Sequence, residues 1–128
     1  MAETRRTVTP YVCLRGTSEA IDFYQRAFGA KEVMRQADPD GKVRHAEIEI
    51  GDSLIMLHDE FPEFSDMRSP VAMGGSPVHI FLTVADADAT ARQALAAGAT
   101  LIKEVKDESY GRSGGVKDPF GLTWWVCS

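Results

Sequence analysis

One order of elements occurs twice in this chain of 128 residues, and the repeat constrains the fold more than any other feature. Each half is predicted to hold a strand, a helix and then three strands. The two helices end alike, in Phe28-Gly29-Ala30 and in Ala97-Gly98-Ala99. Glycine commonly follows a helix because it adopts the left-handed conformation that ends one. Two similar halves predict an α+β fold in which each half buries one face of its sheet under its helix.

The repeat predicts a single domain, residues 1–128, of two tandem βαβββ modules whose sheets curl round a shared cavity. Module one covers about 7–60, a connection covers 61–77, and module two covers about 78–128. The connection contains three prolines and a Gly-Gly pair and has no evident element of its own. A loop of this length packs across the fold or serves as a lid or dimer contact.

Capping residues set the predicted helix boundaries. Thr17 or Ser18 is predicted to cap the first helix, which ends at Phe28. Asp86 is predicted to cap the second, which ends at Ala97. The predicted strands cover residues 7–14, 31–37, 45–50, 53–58, 78–84, 100–105, 113–117 and 122–127.

Composition and charge exclude several classes of function. The net charge of -5 disfavours nucleic acids and anionic lipid surfaces, so we expect no nucleic-acid partner and no membrane association. No segment approaches the ~18 apolar residues of a membrane span, and the first residues lack the apolar run of a signal peptide. Cys13 and Cys127 are expected to be reduced thiols, and we predict a cytoplasmic protein.

A hairpin is predicted at Gly51-Asp52, between two runs of alternating polarity. A tight turn places Ile50 opposite Ser53, Glu47 opposite Met56 and His45 opposite His58. Side chains alternate across a strand, so one face of the hairpin is aliphatic. The other face mixes imidazole, carboxylate and thioether groups: His45, Glu47, Glu49, Leu54, Met56 and His58. This mixed face is the first candidate for a functional surface.

Several motifs resemble those of the vicinal-oxygen-chelate superfamily, which includes glyoxalase I, extradiol dioxygenases and the fosfomycin- and bleomycin-resistance proteins. They are Ile21-Asp22-Phe23-Tyr24, Val78-His79-Ile80 and Asp118-Pro119-Phe120-Gly121. Phe28-Gly29-Ala30 and Asp40-Gly41-Lys42 further resemble the PhnB-like branch of this superfamily. The resemblance covers about Val8 to Val126. It implies the two-module fold and a homodimer, but fold alone does not select a function.

The resemblance also implies where a metal would bind. Enzymes of the superfamily hold a divalent metal with one ligand from each of the first, fourth, fifth and eighth strands. These positions fall at Thr9 or Pro10, Met56, His79 and Trp125. Only His79 is a suitable ligand, because a thioether is too soft for such ions and indole is not a ligand. We therefore expect no metal at the standard positions and no metal-dependent glyoxalase activity.

If Met56 occupies a former ligand position, its face of the sheet lines the cavity. The predicted ligand-binding residues combine aromatic walls with polar groups: Tyr11, His45, Met56, Phe81, Arg112 and Trp125. Arg112 lies in a glycine-rich stretch and could bind a carboxylate or phosphate in a bidentate manner. An acidic, aromatic surface suits an aromatic or cationic small molecule.

Three functions remain open at this point. The preferred one is glyoxalase- or bleomycin-resistance-like binding of a small molecule by a protein that lacks the standard metal ligands, with the cofactor left open between none and a divalent metal. The second is a divalent-metal-dependent lyase, isomerase or dioxygenase whose ligands have moved to His58, His79 and Glu47, or to His45 in place of Glu47. The third is a metal-independent enzyme in which His79, Glu47 or His58 is the catalytic base. The sequence leaves open whether the protein is an enzyme.

Overall fold

The computed structural model describes residues 6–128, which form an α+β fold with two four-stranded sheets. The first half holds β1 (Tyr11–Leu14), α1 (Thr17–Phe28), β2 (Lys31–Ala37), β3 (Val43–Ile50) and β4 (Ser53–Asp59). A short helix, α2 (Pro70–Met73), lies in the connection. The second half holds β5 (Ile80–Thr83), α3 (Ala87–Ala97), β6 (Thr100–Glu108), β7 (Gly111–Lys117) and β8 (Thr123–Cys127).

Both halves build the same sheet, which confirms the predicted fold class. The strand order is β1-β4-β3-β2 in the first sheet and β5-β8-β7-β6 in the second. In each sheet the first strand runs parallel to its neighbour, and the remaining pairs are antiparallel. Across residues 6–128, no helix is both long and apolar enough to cross a membrane.

The hairpin between β3 and β4 has the predicted register, because Glu47 pairs with Met56 and Ile50 pairs with Ser53. Gly51 has a φ of 58°, as a tight turn requires. The aliphatic face, which includes Ala46 and Ile48, is buried and packs against α1. We call the opposite face of each sheet, which is turned away from the helices, its open face.

The start of α1 corrects the predicted cap. Gly16 precedes the helix with a φ of 82°, the Thr17 hydroxyl has no hydrogen-bond partner within residues 6–128, and the Ser18 hydroxyl accepts from Arg35 instead of capping the helix. Instead Asp59, at the end of β4, accepts hydrogen bonds through Oδ1 from the backbone N–H groups of Gly16 and Thr17 at 3.0 and 2.9 Å. A carboxylate is favourable at this end of a helix, where the backbone N–H groups lack partners.

The predicted cap of α3 is confirmed, because the Asp86 side chain accepts a hydrogen bond from the Ala89 N–H at 3.0 Å.

The connection, in which no element was evident from the sequence, contains the short helix α2. Ser69 caps α2 by accepting from the Ala72 N–H at 3.2 Å, and Pro70 occupies the first turn. Ser followed by Pro is a helix-start signal that the sequence analysis missed.

A buried carboxylate joins the two halves. Asp118 accepts hydrogen bonds through Oδ2 from the Tyr24 hydroxyl at 2.5 Å and from the Trp124 indole N–H at 2.8 Å. Its Oδ1 accepts from the N–H groups of Phe120 and Leu122. Burial raises the pKa of Asp118, although these donors oppose the rise. Trp124 is 1% exposed and belongs to the core.

Candidate functional site

Five of the predicted site residues lie together on the open face of the first sheet. Tyr11, on β1, pairs with Met56 on β4, which in turn pairs with Glu47 on β3. The Tyr11 ring lies 4.6 Å from the His58 ring and 6.1 Å from the His45 ring, measured between centroids. We call these residues the first-sheet cluster: Tyr11, His45, Glu47, Met56 and His58.

The carboxylate of this cluster is buried although it lies on an open face. Glu47 is 8% exposed, and its Oε2 lies 3.0 Å from Nε2 of His45, which is partly exposed. A buried carboxylate is costly unless it is paired, and His45 supplies the partner that the alternating pattern placed on the same face. The pair leaves a carboxylate on the same open face as Met56, its partner on β4.

His58 has a defined orientation and one unused nitrogen. Its Nδ1 lies 2.7 Å from the backbone carbonyl oxygen of Asp59, and because a carbonyl only accepts, Nδ1 carries the proton. His58 is 6% exposed, and its Nε2 has no hydrogen-bond partner among residues 6–128. In the neutral imidazole this nitrogen is an acceptor. Buried polar atoms are nearly always paired, which makes this one a candidate ligand contact.

The remaining aromatic site residues lie on the open face of the second sheet. Phe81 pairs with Trp125, and the Trp125 indole N–H donates to Nδ1 of His79 at 3.0 Å. A Cβ on Gly115 would lie 2.5 Å from the Trp125 ring, so only glycine lets the indole lie flat on β7. We call His79, Phe81 and Trp125 the second-sheet cluster.

The structure does not bring the two clusters into contact. Within the described residues, no hydrogen bond or ring contact joins a member of one cluster to a member of the other. A cleft of about 520 Å³ lies beside the first-sheet cluster, between β1 and the connection. Its walls include Tyr11, Cys13, Met67, Met73 and Ile80. Apolar and thioether groups of this kind suit an adaptable surface for an apolar ligand.

Cys13 is a buried residue in the wall of that cleft. Its thiol lies 3.7 Å from the carbonyl oxygen of Met67 and is buried. Burial, with smaller contributions from the carboxylates of Glu60 and Asp59, raises the pKa of Cys13 to about 11. A thiol of this kind is a poor nucleophile at neutral pH.

The residues at the superfamily's metal positions do not fit a metal. Met56 offers only a thioether, Trp125 offers no lone pair, and the Trp125 N–H occupies the Nδ1 lone pair of His79. The neutral His79 therefore carries its own proton on Nε2. Among residues 6–128, no three His, Cys, Asp or Glu side chains come together as metal ligands. His58 and Glu47 lie on one sheet and His79 on the other, so the structure does not assemble the relocated metal set.

Arg112 lies apart from both clusters. On β7 it shares the covered side with Val116, and it binds Asp88 of α3 at 2.6 Å and Asp107 of β6 at 3.1 Å. These carboxylates raise the pKa of Arg112, and Arg112 lowers that of Asp88. Its predicted carboxylate partner is therefore supplied within the chain.

Asp59 has a role in the site that the sequence did not predict. Its carboxylate holds the start of α1 and the Val43 N–H, and its carbonyl holds His58. Asp59 therefore sets the position of a site residue without belonging to the open face. No local signal identifies it, because its partners at the start of α1 lie 42 and 43 residues away.

Comparisons with known proteins agree with the fold. A family profile described as the Glyoxalase/Bleomycin resistance protein/Dioxygenase superfamily matches residues 12–126. Protein Mb0911c of Mycobacterium bovis is 42% identical over 120 residues, which are 91% of this chain and 79% of that protein. The X-ray structure of At5g48480 from Arabidopsis thaliana has a TM-score of 0.77 at 28% identity and covers 97% of this chain and 99% of that one. The PhnB protein of Bacillus cereus has a TM-score of 0.72 at 17% identity, over 95% and 98% of the two chains, and shows the fold alone.

Proposed function

The chain belongs to the glyoxalase/bleomycin resistance protein/dioxygenase superfamily, and we propose that it binds an aromatic or cationic small molecule on the open face of its first sheet. The observation that carries the proposal is the first-sheet cluster. It combines a half-exposed aromatic ring, a thioether, a buried carboxylate and an imidazole with an unused acceptor.

The chemistry of this cluster favours a planar cation. Tyr11 is 52% exposed and offers a ring face on which a planar or cationic group can stack. Glu47 supplies a negative charge on the same open face, and the net charge of -5 favours the approach of cations. Met56 lies between the two and adapts its shape to a ligand. None of these groups requires a metal.

The proposal includes a homodimer and a cytoplasmic location. Tyr11 and Phe81 are exposed aromatic residues on different open faces of one chain. A second copy that lays its second-sheet cluster over the first-sheet cluster would enclose the ligand between His79, Phe81 and Trp125 on one side and Tyr11 and Met56 on the other. Apolar surface of this kind is typical of an interface or a ligand groove.

A second candidate function is metal-independent catalysis with His58 as the general base. The unpaired Nε2 of His58 favours it, because a base must present a free lone pair to the substrate. Glu47 and His79 are less suited, since His45 pairs with the first and Trp125 donates to the second. Loss of turnover in His58→Asn, for any compound that the native protein converts, would identify this function.

A thermal-shift screen of the untagged full chain tests the binding proposal. The panels are planar organic cations, thiol adducts of α-keto acids, and the ions of zinc, nickel, manganese and iron. We expect a cation to raise Tm, and Tyr11→Ala and Glu47→Gln to reduce that rise. The matched control is Phe64→Ala, which removes an aromatic ring that is also exposed but belongs to neither cluster. The proposal would be contradicted if only the metal ions raised Tm, or if no compound in the panels raised it.

A further inference from the structure

We propose that His58 selects the ligand by its hydrogen-bonding groups, because its Nε2 accepts a hydrogen bond from an N–H or O–H group of the bound molecule. The inference rests on the proposed function and assigns the ligand a chemical class. That class is a planar cation with N–H donors, such as an amidinium, a guanidinium or an aromatic amine.

The tautomer of His58 is fixed by a rigid partner. Its Nδ1 donates to the Asp59 carbonyl at 2.7 Å. Asp59 is held in turn by the backbone N–H groups of Gly16, Thr17 and Val43 at 2.7–3.0 Å. A neutral imidazole with its proton on Nδ1 presents only a lone pair at Nε2. His58 is thereby prepared to accept a hydrogen bond and unable to donate one.

The lone pair is without a partner in the described chain, and a ligand donor would supply one. The Nε2 atom is buried and has no hydrogen-bond partner among residues 6–128, whereas Nε2 of His45 lies against Glu47. A buried acceptor left unpaired is unfavourable, so a molecule that brings an N–H group to it gains more than one that does not. This difference in binding free energy would favour ligands that carry N–H or O–H donors over ligands that carry none.

The Tyr11 ring packs against the His58 imidazole, and we infer that Tyr11 moves when a ligand reaches Nε2. Its ring lies 4.6 Å from the imidazole, and it is half-exposed on the outer side. Its ring contacts His45 and His58, and its hydroxyl makes no hydrogen bond within residues 6–128. Rotation of Tyr11 toward solvent uncovers Nε2 without breaking a hydrogen bond and leaves the ring free to stack on the ligand.

The nearby groups determine the rest of the ligand class. Glu47 and His58 lie on neighbouring strands of the same open face, and both are acceptors. Two acceptors and an adjacent ring match a flat group with several N–H donors and a positive charge. A carboxylate or phosphate ligand would meet like charge at Glu47 and no donor at His58.

Two probes of similar size and charge test the requirement for a donor. Benzamidine and phenyltrimethylammonium both carry one positive charge on a phenyl ring, but only benzamidine has N–H groups. Each is titrated into the full chain and followed by NMR shifts of backbone amides. We expect benzamidine to bind about tenfold more tightly than phenyltrimethylammonium, as one hydrogen bond to a buried acceptor predicts.

Two substitutions at one position separate the nitrogens of His58. His58→Asn keeps an N–H for the Asp59 carbonyl and removes the acceptor at Nε2. His58→Gln places an amide oxygen near the former Nε2. We expect His58→Asn to weaken benzamidine binding by about tenfold, His58→Gln to restore part of it, and neither to change phenyltrimethylammonium binding by more than about twofold.

The outcomes distinguish the two proposals. If both probes bind equally well and His58→Asn has no effect, the role of His58 is overturned and the proposed binding function stands. If neither probe binds, both are overturned. Should His58→Asn fail to fold, long-range ¹H–¹⁵N correlations of the native protein decide. A bare Nε2 that shifts on benzamidine addition supports the inference, and a proton on Nε2 with a bare Nδ1 overturns it.

Discussion

The histidines on the two open faces, His58 and His79, differ in which ring nitrogen carries the proton. His58 donates through Nδ1 and keeps an acceptor at Nε2, whereas His79 accepts at Nδ1 from Trp125. Alternation along the strands was sufficient to predict that both histidines lie on open faces. It could not predict their tautomers, because these depend on a backbone carbonyl in one case and on a distant indole in the other.

The position of Tyr11 over His58 leads to a prediction about chemical reactivity. Diethyl pyrocarbonate acylates unprotonated imidazole nitrogens, and Nε2 of His58 is buried. In Tyr11→Ala we expect His58 to be modified at least about tenfold faster than in the native protein, because the covering ring is gone. Peptide mass spectrometry measures both rates, and the exposed His79 serves as the internal control. An equal rate at His58 in both proteins would show that another group covers it.

Cys13 provides a prediction about pH. Its pKa is raised to about 11 by burial and by nearby carboxylates, so at pH 8 only about one thiol in a thousand is ionised. In a Cys127→Ser variant, we expect methylthiolation of Cys13 by methyl methanethiosulfonate, which forms a mixed disulfide and releases methanesulfinate, to be slow at pH 8. The rate should rise about tenfold per pH unit up to about pH 11. A plateau near pH 9 would indicate an ordinary thiol and contradict the burial argument.

At the scale of elements, local signals predicted most of the fold and contacts between distant segments explain the misses. The bounds of β2 and the ends of α1 and α3 agree with the predicted ones, because alternation and glycine stops are local. The cap of α1 was wrong because Asp59 supplies it from another strand. The first strand begins at Tyr11, not at residue 7, directly after Pro10, which has no N–H to donate to the sheet. The separation of the two clusters could not be predicted from strand periodicity.

Strand β7 gives a prediction that joins packing to the site. Gly115→Ala would place a methyl group 2.5 Å from the Trp125 ring. We expect the indole to move, its hydrogen bond to His79 to break, and the protein to lose about 1–3 kcal/mol of unfolding free energy. Urea denaturation followed by tryptophan fluorescence measures the loss. The double variant with Trp125→Leu should recover part of it, and failure to do so would place the strain elsewhere.

At the scale of the whole molecule, Asp118 joins the halves through Tyr24. Tyr24→Phe removes one donor from a buried carboxylate and leaves the ring packing in place, so we expect a loss of about 1–3 kcal/mol in unfolding free energy. The control is Tyr110→Phe at an exposed position, where a change within about 0.5 kcal/mol is expected. Equal effects of the two substitutions in urea denaturation would show that the hydroxyl contact does not stabilise the fold.

The open faces lead to the last prediction, which concerns assembly. Phe81 is 56% exposed and lies opposite Trp125 on the second sheet, away from the first-sheet cluster of the same chain. If a second copy covers this face, Phe81→Lys places a charge in the interface. We therefore expect the dissociation constant of the dimer to be at least about tenfold higher in Phe81→Lys than in the native protein. Sedimentation velocity across a dilution series measures this. Arg92→Gln, on the exposed side of α3, is the control and should leave the dimer intact. A native protein that sediments as a monomer at all concentrations would confine the ligand to the first-sheet cluster of a single chain.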